Sequence, residues 1–249
     1  MNRAYIGGDM GSKLTSVLFD KDGTLVDFHA TWAQGNAQAV FRVAERFGAG
    51  ERSVNLLMEA SGLDPVTYRA SVTSPMGVGT TLEIAKSFAD ALGNVDVGEV
   101  TAFLEDHFLH GVGSDPIAVD GLDETLKTLA RYGLRLGVAT MDSIAMADAH
   151  LAALGIQKAF EFVCGYDSGY GQKPGPGMLQ AFSQALNVQP QEVVMVGDSP
   201  HDLHMGRAAG AGLVVGVLTG VGTLEELVDI ADEVVPSIAD LPALIAASR

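Results

Sequence analysis

Short runs of apolar residues alternate with longer amphipathic segments along much of the chain. The runs lie at residues 16–19, 134–140, 160–164, 192–196 and 213–217. Apolar runs of this length, bounded by glycine and polar residues, indicate strands that are buried on both faces. The segments between them repeat apolar residues every three or four positions, which is typical of helices. Strands that alternate with helices predict a Rossmann-like α/β fold, with a parallel sheet and helices on both faces.

A long helical stretch separates the first two predicted strands. They end near Phe19 and Thr140, whereas a simple strand–helix–strand crossover takes about 30 residues or slightly more. Apolar positions spaced three and four apart predict several helices in the excess sequence. We therefore expect an all-helical cap domain at residues 27–115, inserted into a core domain formed by residues 14–26 and 116–249.

Two shorter stretches give local predictions. Residues 71–79 contain serine, proline and glycine, which predicts a flexible loop between cap helices. Asp120 precedes an apolar repeat that starts at Leu122, and Asp123 follows three residues after it. Asp120 is therefore predicted to cap the helix that follows.

The composition restricts the classes of partner. The chain of 249 residues carries 15 Lys and Arg against 31 Asp and Glu, a formal net charge of −16. Such a chain repels nucleic acid and anionic lipid, so neither is an expected partner. No apolar run approaches the ~20 residues of a membrane span, and no signal peptide is visible, so we predict a cytoplasmic protein. The single cysteine, Cys164, is expected to be a buried strand thiol.

Two carboxylates follow the first predicted strand, where residues 19–24 read Phe-Asp-Lys-Asp-Gly-Thr. In an extended chain, residues i and i+2 project to the same side, so Asp20 and Asp22 can face one small volume. That volume opens onto the crevice at the carboxyl ends of the strands, where α/β proteins bind ligands. An acidic turn is the simpler alternative. A calcium loop is excluded because it needs a glutamate at its twelfth position, where this chain has Thr31.

Polar residues also follow or lie between later predicted strands. Thr140 and Met141 end the second strand, where a hydroxyl and N–H groups opening onto a helix can hold a phosphate oxygen. Lys173, between the third and fourth strands, can offset negative charge on nearby carboxylates or a bound anion. Asp198 and Asp202 follow the fourth strand. Converging carboxylates repel one another unless a cation lies between them, and oxygen-only coordination suits Mg²⁺.

In this order, the four stretches resemble the signature motifs of the haloacid dehalogenase-like (HAD) superfamily, most of whose members are Mg²⁺-dependent phosphatases. The resemblance covers most of the chain outside the inserted helices and indicates the phosphoglycolate phosphatase branch. It implies that Asp20 is a nucleophile that forms an aspartyl-phosphate and that Asp22 is the general acid and base. It also implies a Mg²⁺ held by the Asp20 carboxylate, the Asp22 backbone carbonyl and Asp198, with Asp202 orienting a water or Lys173.

The phosphate-binding residues implied by the resemblance are Thr140, Met141 and Lys173. Many relatives have asparagine where this chain has Met141. The contact to the leaving group is therefore expected to differ from that in those relatives. We predict hydrolysis of a small phosphorylated metabolite. The alternative is a phosphomutase that acts on a sugar phosphate through the same nucleophile, which the motifs do not separate from a hydrolase. The sequence makes no prediction of the oligomeric state.

Other functions fit the sequence less well. Haloacid dehalogenation is disfavoured because that branch lacks an equivalent of Asp22, and a non-catalytic phosphate-binding module is disfavoured because the set of motif residues is complete. The predicted cap contributes four basic residues as candidates for contact with the organic part of the substrate. These candidates are Arg42, Arg46, Arg69 and Lys86.

Overall fold

The structure, a computed structural model, describes residues 13–48, 50–93, 95–111 and 115–248. Six strands lie in these residues, namely β1 Ser16–Phe19, β2 Arg135–Ala139, β3 Phe162–Cys164, β4 Val193–Gly197, β5 Leu213–Val217 and β6 Glu233–Val235. They form one sheet in the order β3-β2-β1-β4-β5-β6, and every neighbouring pair is parallel. This sheet confirms the predicted α/β fold.

Helices fill most of the sequence between strands. Those between β1 and β2 are α1 Phe28–Phe47, α2 Glu51–Ser61, α3 Pro75–Val78, α4 Thr81–Leu92, α5 Val97–His110 and α6 Leu122–Arg131. Those that alternate with the later strands are α7 Ile144–Ala153, α8 Gly177–Leu186, α9 Pro200–Ala209, α10 Leu224–Leu227 and α11 Leu241–Ala247. Short 3₁₀ turns precede β3, β4 and α11.

Strand β1 lies at the centre of the sheet and is buried on both faces. Val17 and Phe19 belong to the hydrophobic cluster on one face, whereas Leu18 belongs to the cluster on the other. Successive strand side chains point to opposite faces, so a continuous apolar run is what a doubly covered strand requires. Because β1 is buried within the sheet, the residue that follows it, Asp20, lies at the carboxyl edge of the sheet.

Helices α1 to α5 pack around a hydrophobic cluster of their own. Its fully buried members include Val40 and Phe88, and Met146 of α7 joins the cluster from the sheet side. Among the described residues of this stretch no β-strand occurs. The arrangement is compatible with a helical insertion, and the domain bounds at residues 27–115 stay a prediction.

Two local predictions were wrong. The N-cap of α6 is Gly121, whose left-handed φ of 77° favours glycine, and not Asp120. The segment predicted as a flexible loop contains the short helix α3, where the Ser74 side chain accepts a hydrogen bond from the Gly77 N–H. A serine N-cap followed directly by proline is a helix start, and the serine-, proline- and glycine-rich composition of the segment concealed it.

The remaining global features agree with the sequence. Cys164 is fully buried at the end of β3, and burial raises the pKa of its thiol to about 12, which confirms the predicted buried strand thiol. Across the described parts of the chain, the helices are too short or too polar to cross a membrane.

Candidate active site

Two carboxylates meet where adjacent parallel strands end. Phe19 of β1 pairs with Val196 of β4, and the Asp20 N–H donates to the Val196 carbonyl at 2.8 Å. Asp20 follows β1 directly and Asp198 follows β4 directly, so the sheet register places both at one edge. The two residues are 6% and 3% exposed. The buried acidic site therefore follows from the strand pairing.

Glycines allow two chain segments to approach Asp198. The Val221 N–H, in the loop after β5, donates to Asp198 Oδ2 at 2.7 Å. A Cβ added at Gly220 would overlap that carboxylate, and one at Gly23, where φ is +83°, would lie 2.5 Å from Asp198 Oδ2. Only glycine fits at these positions without moving the carboxylate. The sequence did not predict the hydrogen bond from the loop after β5 to Asp198.

Lys173 joins the first and fourth sequence motifs. Its Nζ lies 2.5 Å from Asp20 Oδ1 and 2.6 Å from Asp202 Oδ1, and all three side chains are buried. Asp202 Oδ2 accepts from the Ser199 N–H at 3.1 Å and from its hydroxyl at 2.6 Å, within a capping box at the start of α9. Asp202 thus stabilises the helix start and orients Lys173, one of the two roles that the resemblance implied for it.

The electrostatics of this cluster favour a bound cation. Burial raises the pKa of Asp20 to about 7, although the Lys173 ammonium acts in the opposite direction. Burial, together with Asp20 and Asp202, raises the pKa of Asp198 well above its usual value. One oxygen from each of these three carboxylates lies within 4.8 Å of the others. A divalent ion would stabilise the ionised forms, so this oxygen donor set fits a hard cation such as Mg²⁺.

Asp22 is held in place by an adjacent lysine and a distant tryptophan. Lys21 Nζ lies 2.5 Å from Asp22 Oδ2, and Trp32 Nε1 of α1 donates to Asp22 Oδ1 at 2.6 Å. Burial opposes ionisation of Asp22, but the Lys21 ammonium, His150 and the hydrogen bonds from Lys21 and Trp32 together outweigh it and lower the pKa. In this arrangement Asp22 is ionised, and both of its oxygens are occupied.

The Lys21 ammonium is itself enclosed by polar groups. The side chain is 0% exposed, and Nζ also lies 3.0 Å from Asp142 Oδ2 and donates to His150 Nδ1 at 3.0 Å. Burial raises the pKa of Asp142 to about 6, although Lys21 lowers it. Sequence reasoning did not identify this cluster, since the residues come from separate elements. The available signal was a lysine at the end of an apolar strand, where a charged side chain needs partners.

Thr140 and Met141 line the same pocket as Asp20. The Thr140 Oγ1 accepts from the Asp142 N–H at 3.1 Å, which leaves the hydroxyl hydrogen able to donate to a ligand. All seven residues predicted from the motifs lie around this one pocket. They are Asp20, Asp22, Thr140, Met141, Lys173, Asp198 and Asp202.

Helices α1, α3, α4 and α5 form the opposite wall of the pocket. Phe28, Trp32 and Asn36 lie four residues apart on α1, so they form one stripe along the helix. Met76, Gly77, Val78, Gly79, Thr81, Ile84 and Phe108 complete the wall. The four basic candidates from the predicted cap do not line it. Among them, Arg42 donates instead to His107 Nδ1 at 2.9 Å.

A parallel α/β sheet with buried carboxylates, a buried lysine and a hydroxyl at its carboxyl edge defines an enzyme with an acidic, metal-compatible site. The family model "haloacid dehalogenase-like hydrolase" matches residues 14–210. The chain belongs to this family.

Individual relatives agree with this assignment. The chain is 33% identical over 207 residues to a phosphoglycolate phosphatase of Rhodospirillum rubrum, covering 80% of this chain and 78% of that protein. It is 29% identical over 244 residues to one from Escherichia coli K12, covering 93% and 92%. The fold resembles CbbY from Rhodobacter sphaeroides in complex with phosphate, with a TM-score of 0.67, 19% identity and coverage of 92% and 96%.

Proposed function

We propose that this hydrolase is a Mg²⁺-dependent phosphomonoesterase that cleaves a small phosphorylated metabolite through an aspartyl-phosphate on Asp20. One observation carries the proposal: the Asp20 carboxylate is buried beside Asp198 and held by Lys173, with Asp22 facing the same pocket. The curated relatives named above are phosphatases, which supports the same reaction class.

The first step forms a bond from an Asp20 carboxylate oxygen to phosphorus and breaks the bond from phosphorus to the ester oxygen. Asp22 takes up a proton when the phosphate binds and gives it to that leaving oxygen. The nearby negative charge of a bound phosphate raises the pKa of Asp22 and so opposes the effect of Lys21. Lys173 and the Thr140 hydroxyl donate to the phosphoryl oxygens and offset their charge.

The second step returns the enzyme to its starting state. Water attacks phosphorus, Asp22 accepts a proton from that water, and the bond to Asp20 breaks with release of inorganic phosphate. The groups that would hold Mg²⁺ are the carboxylates of Asp20 and Asp198 and the backbone carbonyl of Asp22. When bound, the ion supplies positive charge that offsets charge on the phosphoryl group.

The proposal is tested by phosphate release from p-nitrophenyl phosphate and a panel of metabolite monophosphates with Mg²⁺. We expect Asp20→Asn to lower turnover by about 1,000-fold or more, because the nucleophile is lost. The matched control is Asp123→Asn, at an exposed carboxylate of α6. Near-normal turnover by Asp20→Asn would show that the nucleophile is assigned wrongly, and formation of a fluoroberyllate adduct should require Asp20.

The same assay separates hydrolysis from the phosphomutase alternative. Steady release of phosphate without a bisphosphate activator is expected of the hydrolase, whereas transfer between two positions of one sugar is expected of the mutase. The net charge of −16 supports a small-molecule substrate and disfavours nucleic acid. The cytoplasmic location stays a prediction.

A further inference from the structure

The pocket wall above the acidic residues is apolar. Phe28, Trp32 and Phe108 are 7%, 6% and 7% exposed, and the rings of Trp32 and Phe108 meet edge to face at 5.6 Å. The one polar atom of Trp32 donates to Asp22, so the remaining surface of the indole is carbon. Met76 and Ile84 extend the same wall. A substrate that leaves its phosphate at Asp20 therefore places its organic part against hydrocarbon.

The described lining offers a second anionic group only two basic side chains. Its basic side chains are Lys173 and His201. The Lys173 ammonium lies between Asp20 and Asp202. His201, whose buried Nδ1 makes no hydrogen bond to any described residue, lies on the first turn of α9 directly before Asp202. It is therefore on the element that carries the acidic residues, whereas Phe28, Trp32 and Asn36 are on α1.

Three backbone donors at this wall are also occupied. The Gly77 and Val78 N–H groups donate to the Ser74 carbonyl, and the Gly79 N–H donates to Pro75. At the start of α4, the Glu83 carboxylate accepts from the Thr80 N–H and hydroxyl, so that helix end already carries a negative charge. A carboxylate held against Phe28, Trp32 and Phe108 would be desolvated without a charged partner on that wall, which is unfavourable.

Asn36 is the polar exception in the apolar wall. It is 3% exposed and lines the pocket. Its side-chain carboxamide makes no hydrogen bond within the described chain. Buried polar groups are nearly always hydrogen-bonded, and a ligand is a natural partner for one that faces a pocket. A carboxamide both donates and accepts, so it can bind a hydroxyl or a carbonyl group.

We propose that the substrates are phosphomonoesters whose organic part is uncharged and carries a hydroxyl or carbonyl group that hydrogen-bonds to Asn36. This inference rests on the proposed phosphatase function and names its substrate class. The inferred selectivity differs from that of a phosphatase selective for a phosphorylated carboxylic acid, although curated relatives carry the name phosphoglycolate phosphatase.

The first test uses pairs of esters with equal carbon chains and Mg²⁺. The pairs are 2-hydroxyethyl phosphate with phosphoglycolate, glycerol 3-phosphate with 3-phosphoglycerate, and erythritol 4-phosphate with 4-phosphoerythronate. At the chain length that gives the highest kcat/KM, we expect the ester with the uncharged organic part to have a kcat/KM about tenfold or more above that of its carboxylated counterpart. The reason is that the carboxylate has no charged partner on the apolar wall. A preference for the carboxylated ester overturns the inference alone. Phosphate release from none of the esters overturns the proposed function as well.

The second test isolates Asn36. Asn36→Leu is expected to lower kcat/KM for the best hydroxylated ester by about 10-fold to 100-fold, because the substrate hydroxyl loses its partner. Turnover of butyl phosphate, which has no hydroxyl, should change by less than about twofold and so reports an intact site. Asn55→Leu, at an exposed position of α2, is the matched control.

Equal losses on both esters would assign Asn36 a packing role and overturn the inference. Should Asn36→Leu not fold, Asn36→Ser is the second variant. It keeps a hydroxyl at a shorter reach and should show the same selective loss, whereas an unselective loss again contradicts the inference.

Discussion

Lys21 shows how one residue can control the site without belonging to a recognised motif position. Its ammonium is fully buried, pairs with Asp22 and Asp142, and lies 5.8 Å from the centre of the Trp32 ring. A buried lysine is stable only when its charge is compensated, and here the compensation includes the proposed general acid. Lys21 is therefore expected to act as a positioning residue for Asp22.

Lys21→Met tests this role with leaving groups of different basicity. An alkyl phosphate needs protonation of its leaving oxygen, whereas p-nitrophenyl phosphate needs it far less. We expect kcat to fall about 100-fold on an alkyl phosphate and much less on p-nitrophenyl phosphate. Lys127→Met, in an exposed ion pair on α6, is the control. Equal losses on the two substrates would contradict a role in placing the acid.

The raised pKa of Asp20 predicts the pH dependence of metal binding. The carboxyl group is protonated below about pH 7 in the absence of the ion, and Mg²⁺ must displace that proton. We expect Mg²⁺ affinity, measured by calorimetry, to weaken about tenfold for each pH unit below 7. Affinity that is constant between about pH 5.5 and about pH 8 would show that this carboxylate is not a ligand.

At the scale of elements, the loop after β5 determines the position of Asp198. Gly220→Ala places a methyl group where the Asp198 carboxylate lies. We expect Mg²⁺ affinity and turnover to fall about tenfold or more, because Asp198 must move away from the site. The control is Gly216→Ala on β5, whose added methyl would meet Leu227 at 3.3 Å and not the site. An unchanged metal affinity in Gly220→Ala would contradict this account.

Helix α1 links the insertion to the catalytic edge. Its Trp32 contacts Asp22 through a hydrogen bond and packs against His150 of α7 at a ring distance of 5.4 Å. Trp32 is buried, and the indole N–H of a buried tryptophan needs a partner, which Asp22 provides. The same four-residue spacing that buries Trp32 places Asn36 in the pocket.

For the whole molecule, the acidic cluster opposes folding at neutral pH. The folded pKa of Asp20 is about 7, above the unfolded value of about 3.9. This group therefore favours folding when protonated, and its contribution is lost as the pH rises through about 7. The pKa of Asp198 is also raised in the folded protein, so its contribution to stability is likewise lost as the pH rises.

Mg²⁺ should reverse this loss. At about pH 8 we expect saturating Mg²⁺ to raise Tm by roughly 4–8 °C, equivalent to about 2 kcal/mol, and the increase to shrink toward about pH 5. Asp198→Asn should raise Tm in a chelator, because a buried charge is removed, and should remove most of the response to Mg²⁺. A lower Tm for Asp198→Asn in the chelator would contradict the proposed electrostatic cost.

The sequence by itself determined the order of the strands along the chain and the polar residues that follow them. Each apolar run encodes a doubly buried strand, and parallel strands place their carboxyl ends at one edge, so Asp20, Asp198 and Thr140 had to meet. These inferences need only local periodicity and the direction of the chain. That is why the strand positions and the motif residues could be predicted.

Only the tertiary structure decided which distant side chains complete the site. Lys21 and His150 are 129 positions apart, and Asp198 and Val221 are 23 apart. Such contacts depend on how helices pack against the sheet, and no sequence period encodes that packing. The basic residues of the insertion were plausible ligands by charge alone, yet packing placed an apolar wall with Asn36 at the pocket instead.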